Sequence, residues 1–139
     1  MLTNRSIPAC SVIPELPYRS VTSAADWLSG AFGFSVRLLI ADHRIQMNVN
    51  GCAIVLVAAG DEEPLSTGRV LVRVERIDEH HERATQFGAH VLQPPTTYPF
   101  GERQYSALDL AGHRWTFSES VADVAPEEWG GTTVDIQLG

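Results

Sequence analysis

The feature that most constrains the fold is an internal repeat. Residues 11–59 and 68–118 each contain, in the same order, an extended segment, a helix and three strand-like segments. Phe32-Gly33 and Phe87-Gly88 occupy equivalent places after the two helices. The repeat predicts an α+β fold of two βαβββ modules, with a polar linker at 60–67 and an acidic tail at 119–139. With 139 residues, we expect a single domain.

The pattern of the first module predicts its elements in detail. One helical stripe is formed by Ala24, Trp27, Leu28 and Ala31. Ser23 and Asp26 resemble a capping box at the start of this helix, and Gly33 is a stop signal. Strands are predicted at 36–40, 44–49 and 52–57, the last two joined by a tight turn at Asn50-Gly51.

The second module repeats this order with six additional residues. A strand is predicted at 69–74 and a helix at 77–89, which Asp78 caps and Gly88 ends. Further strands are predicted at 90–93, 103–110 and 113–118. The additional residues fall in a predicted loop at 93–104, and long loops on rigid scaffolds often carry function.

Charge and composition narrow the function classes. Binding to a phosphate backbone needs an excess of positive charge, and the net charge here is −7, so nucleic acid is not an expected partner. No apolar stretch is long enough for a membrane helix, and because residues 1–17 lack the basic-then-apolar order of a secretion signal, we expect none. Cys10 and Cys52 are not in a CxxC pair, which predicts reduced thiols in the cytoplasm with Cys52 as a small core residue. Trp129, in the acidic tail, is expected to dock on the domain or on a second subunit.

The run FGERQYSALDLAGHRWTFSE, together with AFGF after the first helix, carries a family resemblance. Over residues 11–120 the chain resembles the glyoxalase/bleomycin-resistance/extradiol-dioxygenase superfamily, also called the vicinal oxygen chelate fold. It is most similar to the branch of small glyoxalase-like and antibiotic-resistance-like dimers. The resemblance implies that the modules form a cupped mixed sheet around a ligand cavity, commonly completed by a second subunit.

The resemblance also implies where metal ligands would stand. Metal-dependent members carry His or Glu at four positions, which here are Ile13, Val55, Arg69 and Thr116. Ile and Val have no lone pairs, Arg is a permanent cation and Thr is a weak ligand. We therefore expect no metal, no other cofactor and no metal-dependent glyoxalase or dioxygenase activity.

Strand alternation assigns the remaining side chains to two faces. The predicted cavity side contains Ile13, Glu15, Ala53, Val55, Val57, Arg69, Leu71, Arg73, Arg114, Thr116 and Ser118. The opposite side, with Val70, Val72, Val74, Trp115 and Phe117, is expected to pack on the helices. The arginines of the cavity side suit an apolar ligand with an anionic or carbonyl group. Equally, Glu15 and Glu102 could neutralise them, or they could pair across a dimer interface.

The predicted loop is the second candidate region because it combines aromatic rings with an acid and a base. Its candidates are Tyr98, Phe100, Glu102, Arg103 and Tyr105. The alternative is local bracing, with Arg103 tied to Asp109 or to a partner subunit.

Two functions follow as hypotheses, and the catalytic residues stay open. The first is a cytoplasmic homodimer that sequesters an aromatic or amphipathic compound, such as an antibiotic or a metabolite, without metal chemistry. Its candidate ligand-binding residues are Arg69, Arg73, Tyr98, Phe100, Glu102, Arg103, Tyr105, Arg114 and Thr116. The alternative is a metal-free lyase or isomerase that uses Glu102 or Glu15 as general base.

Overall fold

The computed structural model describes residues 2–61 and 67–134. Its helices and strands, in chain order, are β1 (Glu15–Tyr18), α1 (Val21–Phe32), β2 (Ser35–Ile40), β3 (Arg44–Val49), β4 (Cys52–Ala58), β5 (Arg69–Arg73), α2 (Ile77–Gln86), β6 (His90–Thr97), β7 (Glu102–Leu108) and β8 (Arg114–Ser120). A 3-10 turn at Pro126–Glu128 follows. Most of the predicted linker and the end of the tail, 62–66 and 135–139, lie outside the described residues. No helix among the described residues could span a bilayer.

The two modules have the same sheet topology. The first sheet has the order β1-β4-β3-β2 and the second has the order β5-β8-β7-β6. In each sheet the first and last strands of the module pair in parallel, and the other neighbours are antiparallel. The predicted α+β fold of two βαβββ modules is confirmed.

Helix α1 starts earlier than the sequence predicts. Ser20, with an extended backbone, is the N-cap, and its side chain accepts a hydrogen bond from the amide of Ser23 at 3.2 Å. The predicted capping box of Ser23 and Asp26 is wrong because both residues already lie inside the helix. The predicted stop is confirmed, since Gly33 ends the helix with a φ of +78°.

Helix α2 is capped by a residue from another element. Asp78, the predicted cap, is the second residue of the helix, and Arg76 occupies the N-cap position without a side-chain hydrogen bond. Instead, Glu119 of β8 accepts a hydrogen bond from the amide of Ile77 at 3.0 Å. A carboxylate at this end also complements the helix dipole.

The predicted loop at 93–104 is mostly strand. β6 continues to Thr97 and pairs with β7, so the turn that joins them comprises only residues 98–101. The register shifts between Gln93 and Thr96, where Pro94 and Pro95 stand. Because β6 is an edge strand, missing proline N–H groups and an irregular register are tolerated there. The additional residues therefore lengthen a hairpin.

One hydrophobic core spans both modules. The helix-facing side of the second sheet is buried as predicted, and Trp115 and Phe117 are fully enclosed. Helices α1 and α2 pack closely where the ring of Phe87 lies over Gly30, since a Cβ at Gly30 would be only 2.2 Å from that ring. The modules therefore share their core at this helix contact.

Candidate functional site

The side of each sheet that faces away from the helices is called its open face. On the second sheet, β5 places Arg69, Leu71 and Arg73 on the open face, and β8 places Arg114 and Thr116 beside them. Leu71 is 66% exposed, whereas the alternating residues of β5 and β8 are directed to the core. The apolar side chain of Leu71 is therefore exposed to solvent, with Arg69 and Arg73 on either side of it along β5.

Arg69 and Arg114 form a cationic pair on this face. They are direct partners across the parallel strands β5 and β8, so two like charges are neighbours. Among the described residues, no carboxylate forms a salt bridge with either one. The buried Nε of Arg114 has no hydrogen-bond partner there. An unpaired buried donor is costly, and an anion or carbonyl oxygen would satisfy it.

A cavity of about 320 Å³ adjoins Arg69 of this pair. It is lined by Arg69, Val70, Leu71, Gln104 and Thr116. Thr116 shares a hydrogen bond of 2.8 Å with Ser106 on the neighbouring strand. The floor of the cavity is therefore polar but internally paired, so Arg69 at its edge is the strongest group available to a ligand.

Glu102 lies on the same face in a network of hydroxyl donors. Ser118 donates to its carboxylate at 2.7 Å, and Gln104 donates to Ser118 at 3.0 Å. A hydrogen bond from Ser120 is the main cause that lowers the pKa of Glu102, with smaller contributions from Ser118 and from the charge of Arg73. A general base needs a raised pKa, so this carboxylate is poorly suited to proton abstraction.

Glu15, the other proposed base, lies on the first sheet. Its carboxylate forms a salt bridge of 3.2 Å with Arg44, and 56% of its side chain is exposed. This carboxylate therefore lies in solvent beside a permanent cation and not in an apolar pocket. Neither candidate base therefore has the surroundings that the lyase or isomerase hypothesis requires.

An aromatic cluster lies at the turn between β6 and β7. The rings of Tyr98 and Phe100 are stacked, with centroids 5.3 Å apart and planes at 7°. Trp129 contacts Phe100 at 5.3 Å, so the prediction that it docks on the domain is confirmed. The hydroxyl of Tyr98 is hydrogen-bonded to the amide of Gln93, which holds the ring in place. The cluster offers an aromatic surface beside the polar face.

Arg103 and Tyr105 are not brought together with the other candidates. Glu102 and Gln104 lie on the open face, so by strand alternation Arg103 and Tyr105 point to the helix side of the sheet. Arg103 pairs with Asp78 of α2 at 2.9 Å, so the predicted brace to Asp109 is wrong. Tyr105 is buried in the core, where its hydroxyl is hydrogen-bonded to His80. Tyr105 belongs to the predicted strand 103–110 but was grouped with the candidates of the neighbouring loop, so its burial in the core corrects its assignment as a ligand-binding residue.

The four metal-ligand positions implied by the resemblance do not fit a metal. Ile13 and Val55 belong to the first module, and Arg69 and Thr116 stand on the open face of the second sheet. Two of the side chains have no donor atom and a third is cationic. Elsewhere in 2–61 and 67–134, no three His, Cys, Asp or Glu side chains are grouped suitably for an ion.

The open face of the first sheet is covered by residues 5–12, here called the N-terminal strap. The amide of Gln46 donates to the carbonyl oxygen of Ser6 at 3.0 Å, and Arg37 donates to the carbonyl oxygens of Arg5 and Ile7. Gln46 is only 5% exposed although it faces away from the helix. The strap was missed because carbonyl oxygens, which carry no side-chain signature, make these bonds.

The strap changes the environment of the predicted cavity side. Ala53 and Val55 of β4 were expected to face a ligand, yet they are 3% and 7% exposed. Pro8 in the strap is likewise buried. The two open faces are therefore unequal: the first is occupied by the chain itself, and the second presents Leu71 and the arginines.

The comparisons with known proteins agree with this fold. The family model described as Glyoxalase/Bleomycin resistance protein/Dioxygenase superfamily matches residues 12–117. Among solved structures, TioX from Micromonospora sp. ML1 is 29% identical with a TM-score of 0.70, and the match covers 84% of this chain and all of that one. No curated protein matches.

More distant structures share the fold. A glyoxalase/bleomycin resistance protein/dioxygenase from Nocardioides is 20% identical with a TM-score of 0.62, and 94% of this chain and 91% of that one are covered. A glyoxalase-related enzyme from Clostridium phytofermentans is 16% identical with a TM-score of 0.65, over 85% of this chain and 100% of that one. Since the family model covers both modules, the chain belongs to the glyoxalase/bleomycin resistance protein/dioxygenase superfamily.

Proposed function

We propose that the chain is a binding protein that sequesters a largely apolar small molecule bearing a carboxylate or a similar oxygen group. The observation that carries this proposal is the pair Arg69–Arg114 beside the exposed Leu71. Two guanidinium groups without a carboxylate partner among the described residues suit one anionic head group, and the leucine suits an apolar body. The binding site is therefore the open face of the second sheet.

The aromatic cluster supports a planar body for this molecule. Tyr98 and Phe100 present stacked rings at the far end of β6, and Trp129 extends them. These rings lie near the Ser120 end of β8, about 20 Å from Arg114, so a compound held by its oxygen group at the arginines would reach them only with a body of that length. Binding without metal chemistry fits the ligand positions, which supply no adequate donor set.

We further propose that the protein acts as a cytoplasmic homodimer. Small-molecule sites usually bury most of the ligand surface, and a single open sheet face encloses only one side. A second subunit over the face would cover Leu71, which is 66% exposed in the single chain. Sedimentation velocity is the check, since a monomer at micromolar concentration would contradict this part of the proposal.

Titration calorimetry with 2-naphthoate tests the binding proposal, with 2-naphthamide as the uncharged counterpart. The acid is expected to bind and the amide to bind at least tenfold more weakly, because only the acid can form a charged pair with the arginines. Arg114→Gln and Arg69→Gln should each weaken binding about tenfold. Arg76→Gln is the matched control, since Arg76 is exposed at the start of α2.

Two results would contradict the proposed function. One is equal affinity for the acid and the amide, which would show that no charged group is recognised. The other is stabilisation by divalent metals alone in a thermal-shift experiment with the same protein, which would show that the chain has a metal site elsewhere.

A further inference from the structure

The structure brings the two cysteines of this chain to one cleft. The sequence contains only Cys10 and Cys52, which are far apart along the chain. Cys10 lies in the N-terminal strap and Cys52 is the first residue of β4. Both line a cleft of about 670 Å³, with strap residues 8–12 on one wall and Asn48, Gly51 and Cys52 on the other. Both thiols are free.

The thiol of Cys10 lies next to the backbone of Gly51, the residue before Cys52. Its Sγ is 3.9 Å from the carbonyl oxygen of Gly51. A carbonyl oxygen lies about 3 Å from the next Cα, so the Sγ of Cys10 is within about 7 Å of the Cα of Cys52. Because Sγ lies about 3 Å from its own Cα, the two Cα atoms are within about 10 Å of each other, and a disulfide needs them about 4.4–6.8 Å apart, so the strap must move toward Cys52 by up to about 3 Å.

The environment of the two residues favours oxidation. Cys52 is exposed, so the prediction that it is a core residue is wrong and its thiol is accessible to a solution oxidant. The strap is held to the first sheet mainly by hydrogen bonds from Arg37 and Gln46 to its carbonyl oxygens. None of these three bonds involves Cys10, so this part of the strap can shift toward Cys52 without breaking them.

We infer that Cys10 and Cys52 form a redox modification site whose intrachain disulfide fixes the strap over the first sheet. The oxidant is a low-molecular-weight disulfide such as glutathione disulfide. The Cys52 thiolate attacks one of its sulfurs, forming a mixed disulfide and releasing one glutathione. The Cys10 thiolate then attacks the Cys52 sulfur and releases the second glutathione. The protein loses two protons and two electrons, and the two released glutathione thiols carry them.

Oxidation of the purified protein tests first whether the disulfide forms. The full chain is equilibrated with oxidised and reduced glutathione, alkylated, and analysed by intact mass and by non-reducing peptide mapping. The expected product has lost two hydrogens and contains a peptide pair linked through Cys10 and Cys52. Cys10→Ser and Cys52→Ser should each stop at a mixed disulfide with glutathione. Thiols that remain reduced, or disulfides between chains, would overturn the inference.

Hydrogen exchange of the strap amides tests whether the disulfide fixes the strap. Residues 6–12 should exchange at least about tenfold more slowly in the oxidised protein, with reversal by dithiothreitol and no change in Cys10→Ser. Unchanged exchange in a protein shown to contain the disulfide would overturn the assigned role.

Binding of 2-naphthoate separates this inference from the proposed function. Because the proposed site lies on the second sheet, the dissociation constant of 2-naphthoate should be the same in the oxidised and the reduced wild type. Failure of 2-naphthoate to bind in either state would contradict the proposed function, while a disulfide with a slowed strap would still support the redox site.

Discussion

Replacing Asp109 tests what joins the two modules. This carboxylate is 6% exposed and accepts four hydrogen bonds. One oxygen accepts from the hydroxyl of Tyr18 on β1 at 2.7 Å and from the indole N–H of Trp115 on β8 at 3.0 Å. The other accepts from the amides of Ala111 and His113 in the turn before β8. Asp109→Ala removes all four acceptor contacts at once.

The expected loss follows from the two side-chain donors that stay buried. Tyr18 is 1% exposed and Trp115 is 0% exposed, so neither can turn to water. Burial, reinforced by the charge of Asp109, raises the pKa of Tyr18, which keeps the phenol protonated as a donor. Each buried donor without an acceptor costs about 1–3 kcal/mol. We expect Asp109→Ala to lower the free energy of unfolding by about 4 kcal/mol.

Tyr18→Phe is the matched milder variant, because it removes one donor and leaves the carboxylate with three. Its expected cost is about 1–2 kcal/mol. In the double variant Asp109→Ala/Tyr18→Phe no hydroxyl is left without a partner. The double variant should therefore lose at least about 1 kcal/mol less than the sum of the single losses.

Urea unfolding followed by circular dichroism measures all three variants against the wild type. Asp109→Asn, which keeps one acceptor oxygen, replaces Asp109→Ala if that variant does not fold. A loss below about 1 kcal/mol for Asp109→Ala, or strictly additive losses, would refute the reasoning. Either result would mean that the carboxylate does not bind the donors of β1 and β8.

Two further predictions concern backbone strain and pH. Gly51→Ala should cost about 1 kcal/mol, because Gly51 has a φ of +81° but open space around it. Gly101→Ala should cost at least about 2 kcal/mol more in urea unfolding, since its Cβ would stand 2.4 Å from the carbonyl oxygen of Ala122; equal losses would contradict this. Burial of His80 lowers its pKa to about 4 in the folded protein, whereas the pKa in the unfolded chain is near 6.5. The contribution of His80 to the free energy of unfolding is therefore complete above pH 6.5 and is lost as the pH falls toward 4. Stability should fall by about 2–3 kcal/mol more in the wild type than in His80→Gln between pH 7 and pH 4; parallel pH profiles would contradict the assigned burial.

Strand alternation made much of the second sheet predictable. The pattern RVLVR places Val72 inward and Arg69 outward as soon as the segment is recognised as a strand. The same rule correctly places Trp115 in the core and Thr116 on the open face. These assignments succeed because the period of a strand is a local property of the chain. Arg103 and Tyr105 also lie in the predicted strand 103–110, but the alternation rule was not applied to them, and they were grouped with residues of the opposite face.

Contacts between distant segments were not predictable in the same way. Glu119 caps α2 from a different strand, and nothing within the helix sequence indicates such a partner. Asp78 resembles a cap locally, yet it pairs with Arg103 once the sheet brings that residue near. The strap is the extreme case, because Gln46 recognises its carbonyl oxygens and not its side chains.

The two modules use equivalent positions in opposite ways. Val55 and Thr116 occupy the same place in their repeats, but Val55 is buried beneath the strap and Thr116 lies beside exposed Leu71 and the arginine pair. Because the strap sits outside the shared core, moving it costs carbonyl hydrogen bonds and some cover over β4, while the packing around Trp115 stays intact. A binding face and a cover that responds to thiol oxidation can therefore occupy the two halves of one duplicated fold without destabilising each other. The same separation requires that Cys10→Ser leave the urea midpoint of the reduced protein nearly unchanged, since Cys10 contacts only the edge of the first sheet.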